Sequence, residues 1–307
     1  MSARELDAAG ITNPVLRASY EVCRRLNAKH GRTYYLATRL LPAAKRPYVH
    51  ALYGFARHAD EFVDSLTAPD PQALLSWSEE FLTELDSGAS RDPIGAAMAD
   101  TMHRWDIPRA HVVAFLDSMR RDITVNRYET YADLADYMYG SAAVIGLQML
   151  PILEPIDTAA YRHAQALGEA FQLSNFIRDV GEDLHRGRVY LPQQDLRAFG
   201  VTVEDLRAGV VTEPLRDLLR FEIARARGLY AEAERGVELL HPSGRECIRT
   251  ALVLYGGILD AVESADYQVL TQRVSVPLTR RLRVALPAWA RARVSHRDAD
   301  RWREVPA

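Results

Sequence analysis

The chain has 307 residues, 48% hydrophobic and 26% charged, with 17 Gly and 15 Pro; these are globular proportions that exclude a disordered or collagen-like chain. Thirty-eight Lys and Arg against 41 Asp and Glu leave a formal charge of -3, which excludes a mainly electrostatic nucleic-acid binder. Cys23 and Cys247 stand far apart with no C-x-x-C pair, so no structural zinc site or disulfide scaffold is expected, only two small core residues.

Met1 to Asp7 is polar and lacks the apolar segment of a signal peptide. No run approaches the roughly 18–20 apolar residues of a membrane span, so a cytoplasmic location is expected. Apolar residues recur at helical spacing over 14–29, 44–65, 71–86, 108–123, 130–150, 157–185, 214–240 and 243–270, whereas strand signals are nearly absent. Breakers fall between these stretches: Pro42, Pro47, Ala68 to Pro71, Pro93, Pro108, Pro155, Pro192, Pro214 and His241 to Gly244. Thr130 with Asp133, and Asp157, have the form of N-caps. No repeat or flexible linker divides the chain, which predicts an all-α fold with one domain over 1–278 and a basic tail over 279–307.

The sharpest local feature is Tyr53-Gly-Phe-Ala-Arg57-His-Ala-Asp60-Glu-Phe-Val-Asp64. On a helix Tyr53, Arg57, Asp60 and Asp64 share a stripe, and the two acids stand about one turn apart, ~5–6 Å. Like charges so placed repel slightly, and a hard divalent cation prefers carboxylate oxygen as its ligand. The bland reading is a solvated face neutralised by Arg57. His58 reads as a neighbour on the helix face.

A second copy weighs against the bland reading. Gln172, Asn175, Asp179 and Asp183 again share a stripe, with Arg178 and Glu182 beside it, and towards the N-terminus it becomes Gly168 and Ala164, flanked by Phe171. A face that changes from small and apolar to acidic suits a helix lining an apolar channel with a charged mouth. Gly181 admits an ion or phosphate, or marks fraying. Arg186 and Arg188 follow in a basic turn fit for phosphate oxygens. Two acidic pairs plus arginines match a diphosphate bridged by Mg²⁺, which keeps few carboxylates and fills its other positions with water and phosphate. The small residues of Tyr137 to Gly146 serve either close helix packing or room for a long hydrocarbon. In the tail, eight arginines among Leu282, Leu286, Trp289 and Val294 suit either a solvated last helix or peripheral contact with an anionic membrane. The spacings Glu182-x-x-His185 and Glu238-x-x-His241 occur in di-iron bundles, but His241 precedes Pro242 at a helix end and His185 sits in the basic turn after Gly181.

His30 to Pro42, Tyr53 to Asp64, Tyr137 to Gly146 and Asn175 to Pro192 together resemble the squalene/phytoene synthase family over roughly residues 15–275. The resemblance implies a single isoprenoid-synthase-type helical domain around a central apolar cavity. It implies Mg²⁺ or Mn²⁺ held by Asp60, Asp64, Asn175, Asp179 and Asp183. Diphosphate binding falls to Arg57, Arg178 and Arg273, with His30, Thr33 and Tyr34 touching the same groups. Tyr53, Tyr137, Gln172 and Tyr255 are implied to line the reaction region. The implied reaction joins two geranylgeranyl diphosphates head to head, through a cyclopropyl diphosphate, to phytoene. The alternative is a farnesyl-diphosphate enzyme making squalene, dehydrosqualene or presqualene diphosphate. Glu61 departs from the family's usual second Asp, and Gly31 and Thr33 stand where Ser is common.

Overall fold

The computed structural model describes residues 3–64, 70–87 and 90–302; the side chains of Arg32, Asp64, Ser87, Leu278 and residues 297–302 lie outside that description. The first helices are α1 (Ala3–Ala8), α2 (Pro14–His30), α3 (Arg32–Thr38), α4 (Arg46–Asp64), α5 (Pro71–Ser87), α6 (Pro93–Trp105), α7 (Arg109–Arg121) and α8 (Tyr131–Met138). A π-helical turn, Tyr139–Ala143, leads into α9 (Val144–Leu153) and α10 (Ala160–Arg178). Then come α11 (Val180–His185), α12 (Gln193–Ala198), α13 (Val203–Arg207), α14 (Glu213–Glu234), α15 (Pro242–Ser264) and α16 (Leu278–Trp302). Among the described residues there is no strand, only two isolated bridges.

Helix starts follow local chemistry. Asn13 accepts the Val15 and Leu16 amides ahead of Pro14, and Thr130 and Asp133 form the expected capping box. Asp157 behaves differently: its carboxylate accepts the Ala159 amide at 2.7 Å in the turn before α10, and Ala159 occupies the cap position. α6 carried no strong apolar stripe because Ala97 and Thr101 fill buried positions beside Ile94, Met98 and Met102. Of the breakers, Ala68 and Pro69 lie outside the described residues, and Pro151 sits inside α9.

One buried cluster joins α2, α4, α5, α6 and α7 through Tyr20, Tyr48, Phe55, Phe81, Met98 and Phe115; a second joins α8, α10 and α14 through Leu134, Met138, Ile177 and Leu218. The small residues after Tyr137 serve both ends, packing closely and, through Ser141, Ala142 and Gly146, bordering a cavity. A Cβ on Gly146 would stand 2.4 Å from the Ala164 carbonyl oxygen, and one on Gly168 would stand 2.4 Å from that of Ala142. Ala164 is thus packed against α9. Both core cysteines are free and buried, and burial pushes their thiols up to about 12. The tail forms α16, tied to α15 by Arg280 to Asp260 at 2.6 Å and Arg291 to Glu246 at 2.8 Å, with Ala285, Ala288 and Ala292 buried. Arg303 and Glu304 lie outside the described residues, as do the side chains of Arg297, Asp298, Asp300 and Arg301.

Candidate active site

α4 supplies one wall. Tyr53, Arg57 and Asp60 project into a common cavity, with Arg57 Nη1 donating to Asp60 Oδ2 at 3.2 Å. Asp64 ends the helix, and its side chain is outside the described set. His58 packs against the rings of Phe62 and Trp77, as a neighbour on the helix face.

α10 and α11 form the opposite wall, and here the continuous helix expected over 157–185 breaks at Asp179. The Gly181 amide leaves the helical ladder and donates to the Val269 carbonyl at 3.1 Å; a Cβ on Gly181 would lie 2.2 Å from the Leu270 carbonyl oxygen. This glycine therefore admits a crossing backbone segment. It neither frays the helix nor opens a path for an ion. The stripe survives the break, because the Asp179 amide still donates to Asn175 and the Asp183 amide to Asp179, each at 2.8 Å. The crossing segment carries Arg273, which pairs with Asp179 at 3.1 Å and Glu182 at 3.6 Å. Asp179 also receives Arg178 Nε at 2.7 Å, and Asp183 faces Arg186 at 3.5 Å. Arg188 reaches the Val63 and Asp122 carbonyls, tying this wall to the ends of α4 and α7.

Between the walls lies a cavity of about 650 Å³. The Asp60 and Arg273 side chains are 40% and 52% exposed, whereas those of Arg178, Asp179 and Asp183 are largely buried. Apolar side chains also line it: Leu52, Phe115, Met119 and Ala251 are buried, and Ile145 and Met149 half-buried. Five arginines and five acids line the cavity (Arg57, Arg178, Arg186, Arg188 and Arg273 with Asp60, Asp122, Asp179, Glu182 and Asp183). Arg57 Nε and Arg186 Nε are nonetheless buried donors with no acceptor, a configuration that favours an incoming anion. Burial pushes the Tyr53 phenol up to about 12 and those of Tyr137 and Tyr255 well above their ordinary value. The His30 imidazole is held low, by burial first and then by Arg57.

His30, Tyr34, Tyr53, Arg57, Asp60, Tyr137, Gln172, Asn175, Arg178, Asp179, Asp183 and Arg273 all line this one cavity. Thr33 does not, since the lining stripe of α3 is Tyr34, Ala37 and Thr38. Tyr255 stands behind it, its ring 4.8 Å from that of Tyr34 and 4.3 Å from that of Phe171. Sequence reasoning missed Asn27, Thr38 and Asp122, which also line it. Asp122 accepts the Tyr137 hydroxyl at 2.8 Å and caps the C-terminus of α7, where the helix dipole disfavours an acid; that misplaced charge was the available signal. The di-iron spacings come to nothing here. His185 Nδ1 meets the Gly181 carbonyl, and Glu238 is held by Arg245 and Arg249.

Among the described residues no three Asp, Glu, His or Cys side chains converge closely enough to enclose an ion by themselves. The donor set still fits a hard divalent cation. It is all oxygen, drawn from Asp60 on one wall and Asn175, Asp179, Glu182 and Asp183 on the other, and magnesium takes only a few protein oxygens beside water and phosphate.

A family model described as squalene/phytoene synthase matches residues 27–280. The phytoene synthase of Arthrospira platensis is 40% identical over 291 residues, covering 90% of this chain and 94% of that protein. The 15-cis-phytoene synthase of Synechocystis sp. is 38% identical over 291 residues, covering 90% and 86%. Among solved structures, a dehydrosqualene synthase in complex with ligand superposes with a TM-score of 0.83 at 27% identity, covering 91% of this chain and 98% of that one. The squalene synthase HpnC from Alicyclobacillus acidocaldarius gives 0.77 at 30% identity, covering 85% and 98%.

Proposed function

Because the chain belongs to the squalene/phytoene synthase family, we propose that it is a prenyltransferase condensing two geranylgeranyl diphosphates head to head, through a cyclopropyl diphosphate, to 15-cis-phytoene in carotenoid biosynthesis. The carrying observation is one cavity that Asp60, Asp179, Asp183 and five arginines line together with apolar Leu52, Phe115, Met119, Ile145 and Met149. Such a shape holds a diphosphate at the mouth and a long hydrocarbon inside.

In this reading Asp60, Asp64, Asn175, Asp179 and Asp183 hold divalent ions, Mg²⁺ or Mn²⁺. Bound there, these supply Lewis-acid neutralisation of the leaving diphosphate. Arg57, Arg178 and Arg273 turn from their carboxylate partners to phosphate oxygens and stabilise negative charge as the ester bond breaks. His30 and Tyr34 approach the same groups from α2 and α3. Tyr53, Tyr137, Gln172 and Tyr255 form or back the walls around the allylic cation. The second substrate's double bond attacks that cation, and the apolar lining excludes the water that would trap it as an alcohol. No described helix is long and apolar enough to cross a membrane. The outer side of α16 then provides a peripheral seat on the cytoplasmic face of an inner membrane, where an insoluble product leaves.

The test is product identification by mass and chromatography after offering geranylgeranyl and farnesyl diphosphate separately. Phytoene from the twenty-carbon substrate is expected. Turnover of farnesyl diphosphate alone would favour the second reading, which the likeness to a dehydrosqualene synthase and a squalene synthase motivates. Asp60→Ala or Asp179→Ala is expected to abolish turnover with the fold intact; full phytoene formation by either variant refutes its ion-binding role.

A further inference from the structure

α10 descends into the cavity through Asp179, Asn175 and Phe171, spaced four residues apart, so each is about one turn, ~6 Å, deeper than the last. Phe171 thus lies about 12 Å inward of Asp179, and a diphosphate held beside Asp179 with its prenyl chain directed inward turns its first carbon toward that ring. That ring lines the cavity and is held from behind. Tyr255 stacks on it at 4.3 Å and 28°, and Tyr34 meets it nearly edge-on at 6.1 Å and 65°. The hydroxyls of Tyr34 and Tyr255 hydrogen-bond to one another, and that of Tyr230 pairs with Ser174 at 2.9 Å. The phenols of Tyr34, Tyr255 and Tyr230 packed around this ring are therefore hydrogen-bonded, and the ring itself carries no nucleophile.

We propose that Phe171 is a further catalytic residue: its π face lies against the allylic cation formed on ionisation and stabilises it electrostatically, with Tyr34 and Tyr255 positioning the ring. The proposal rests on the prenyl-transfer reading. In the step concerned the C–O bond breaks, the electron pair leaves with the diphosphate, and positive charge spreads over the allyl group. An aromatic quadrupole opposes that charge without bonding to it, and the effect is strongest where water is excluded. A hydroxyl or thiol in the same place would capture the cation; phenylalanine cannot.

The experiment uses the full chain and geranylgeranyl diphosphate. Phe171 is replaced by 4-fluoro-, 3,5-difluoro- and pentafluorophenylalanine, which keep the ring's shape while draining its π density, and separately by Leu and Trp. Turnover is expected to fall stepwise with fluorination, by about ten-fold or more across the series, with KM nearly constant and a growing share of water-trapped prenyl alcohol. Phe171→Trp should retain most activity, and Phe171→Leu should behave like the pentafluoro variant. Turnover and alcohol yield indifferent to fluorination would overturn the proposal, as would wild-type behaviour of Phe171→Leu. The fluorinated series stays informative even if Leu disturbs the fold. A wild-type chain that turns over no prenyl diphosphate overturns both this inference and the activity beneath it, whereas normal wild-type turnover with a flat fluorine series overturns the ring's role alone.

Discussion

His50 shows how a single buried group links stability to pH. It lies in α4 at 2% exposure, bonded to Asn27 Nδ2 at 3.0 Å and stacked on Tyr35, and burial holds its imidazole down at about 3. The unfolded chain takes up this proton near 6.5 while the folded chain resists it until about 3, so this contribution is complete above 6.5 and is lost as pH falls through the interval. Lowering the pH from 6.5 to 5 should cost about 2 kcal/mol through this residue. Urea midpoints at the two pH values should therefore shift more for wild type than for His50→Gln; equal shifts would remove His50 as the cause. At the same scale, the acids of the site were legible because Asp60 and Asp179 each open an i, i+4 pair, a spacing with physical meaning on a helix. Asn27 and Thr38 were not. Each is one polar residue on an otherwise ordinary helix, and only the packing of α2 and α3 turns it inward.

Among elements, the junction of α10 and α11 decides most. Gly181→Ala would ordinarily gain about 1 kcal/mol of helix propensity. With the Leu270 carbonyl oxygen 2.2 Å from the new Cβ, overpacking reverses the sign, and a net loss of about 1–3 kcal/mol is expected. Displacing the crossing segment also moves Arg273 away from Asp179, so kcat/KM should drop together with Tm. A variant with raised Tm and unchanged activity would contradict this account. The helical class, α4 and the capped start of α8 were readable from periodicity and cap chemistry. The break at Asp179 was not, because the apolar and acidic stripe runs through it unaltered; its cause is a segment ninety residues further along the chain. The π turn at Tyr139–Ala143 escaped notice for a related reason, since small residues fit several helical geometries equally well.

For the molecule as a whole, α16 is two-sided. Its alanines face α15, while Leu282, Leu286 and Trp289 remain exposed, with Arg283 and Arg293 also on the open surface and the Arg293 guanidinium 3.6 Å from the Trp289 ring. From Leu278 to Arg297 the sequence holds six arginines and no acid, in a chain whose net charge is -3. This basic, amphipathic face is the ground for the proposed seat on anionic lipid. Leu286→Glu combined with Trp289→Glu leaves the alanine face in place and should abolish sedimentation with phosphatidylglycerol vesicles while sparing turnover in detergent. Unchanged sedimentation would dismiss the seat. The pairing of Asp60, Asp179 and Asp183 with Arg57, Arg178, Arg273 and Arg186 has a thermodynamic corollary. A cation alone must displace guanidinium, and an anion alone must draw guanidinium away from carboxylate, so either arriving singly meets a competitor. Together each releases the partner the other needs. In the proposed reading the two affinities are therefore reciprocally coupled, and saturation with one moves the isotherm of the other to lower concentration.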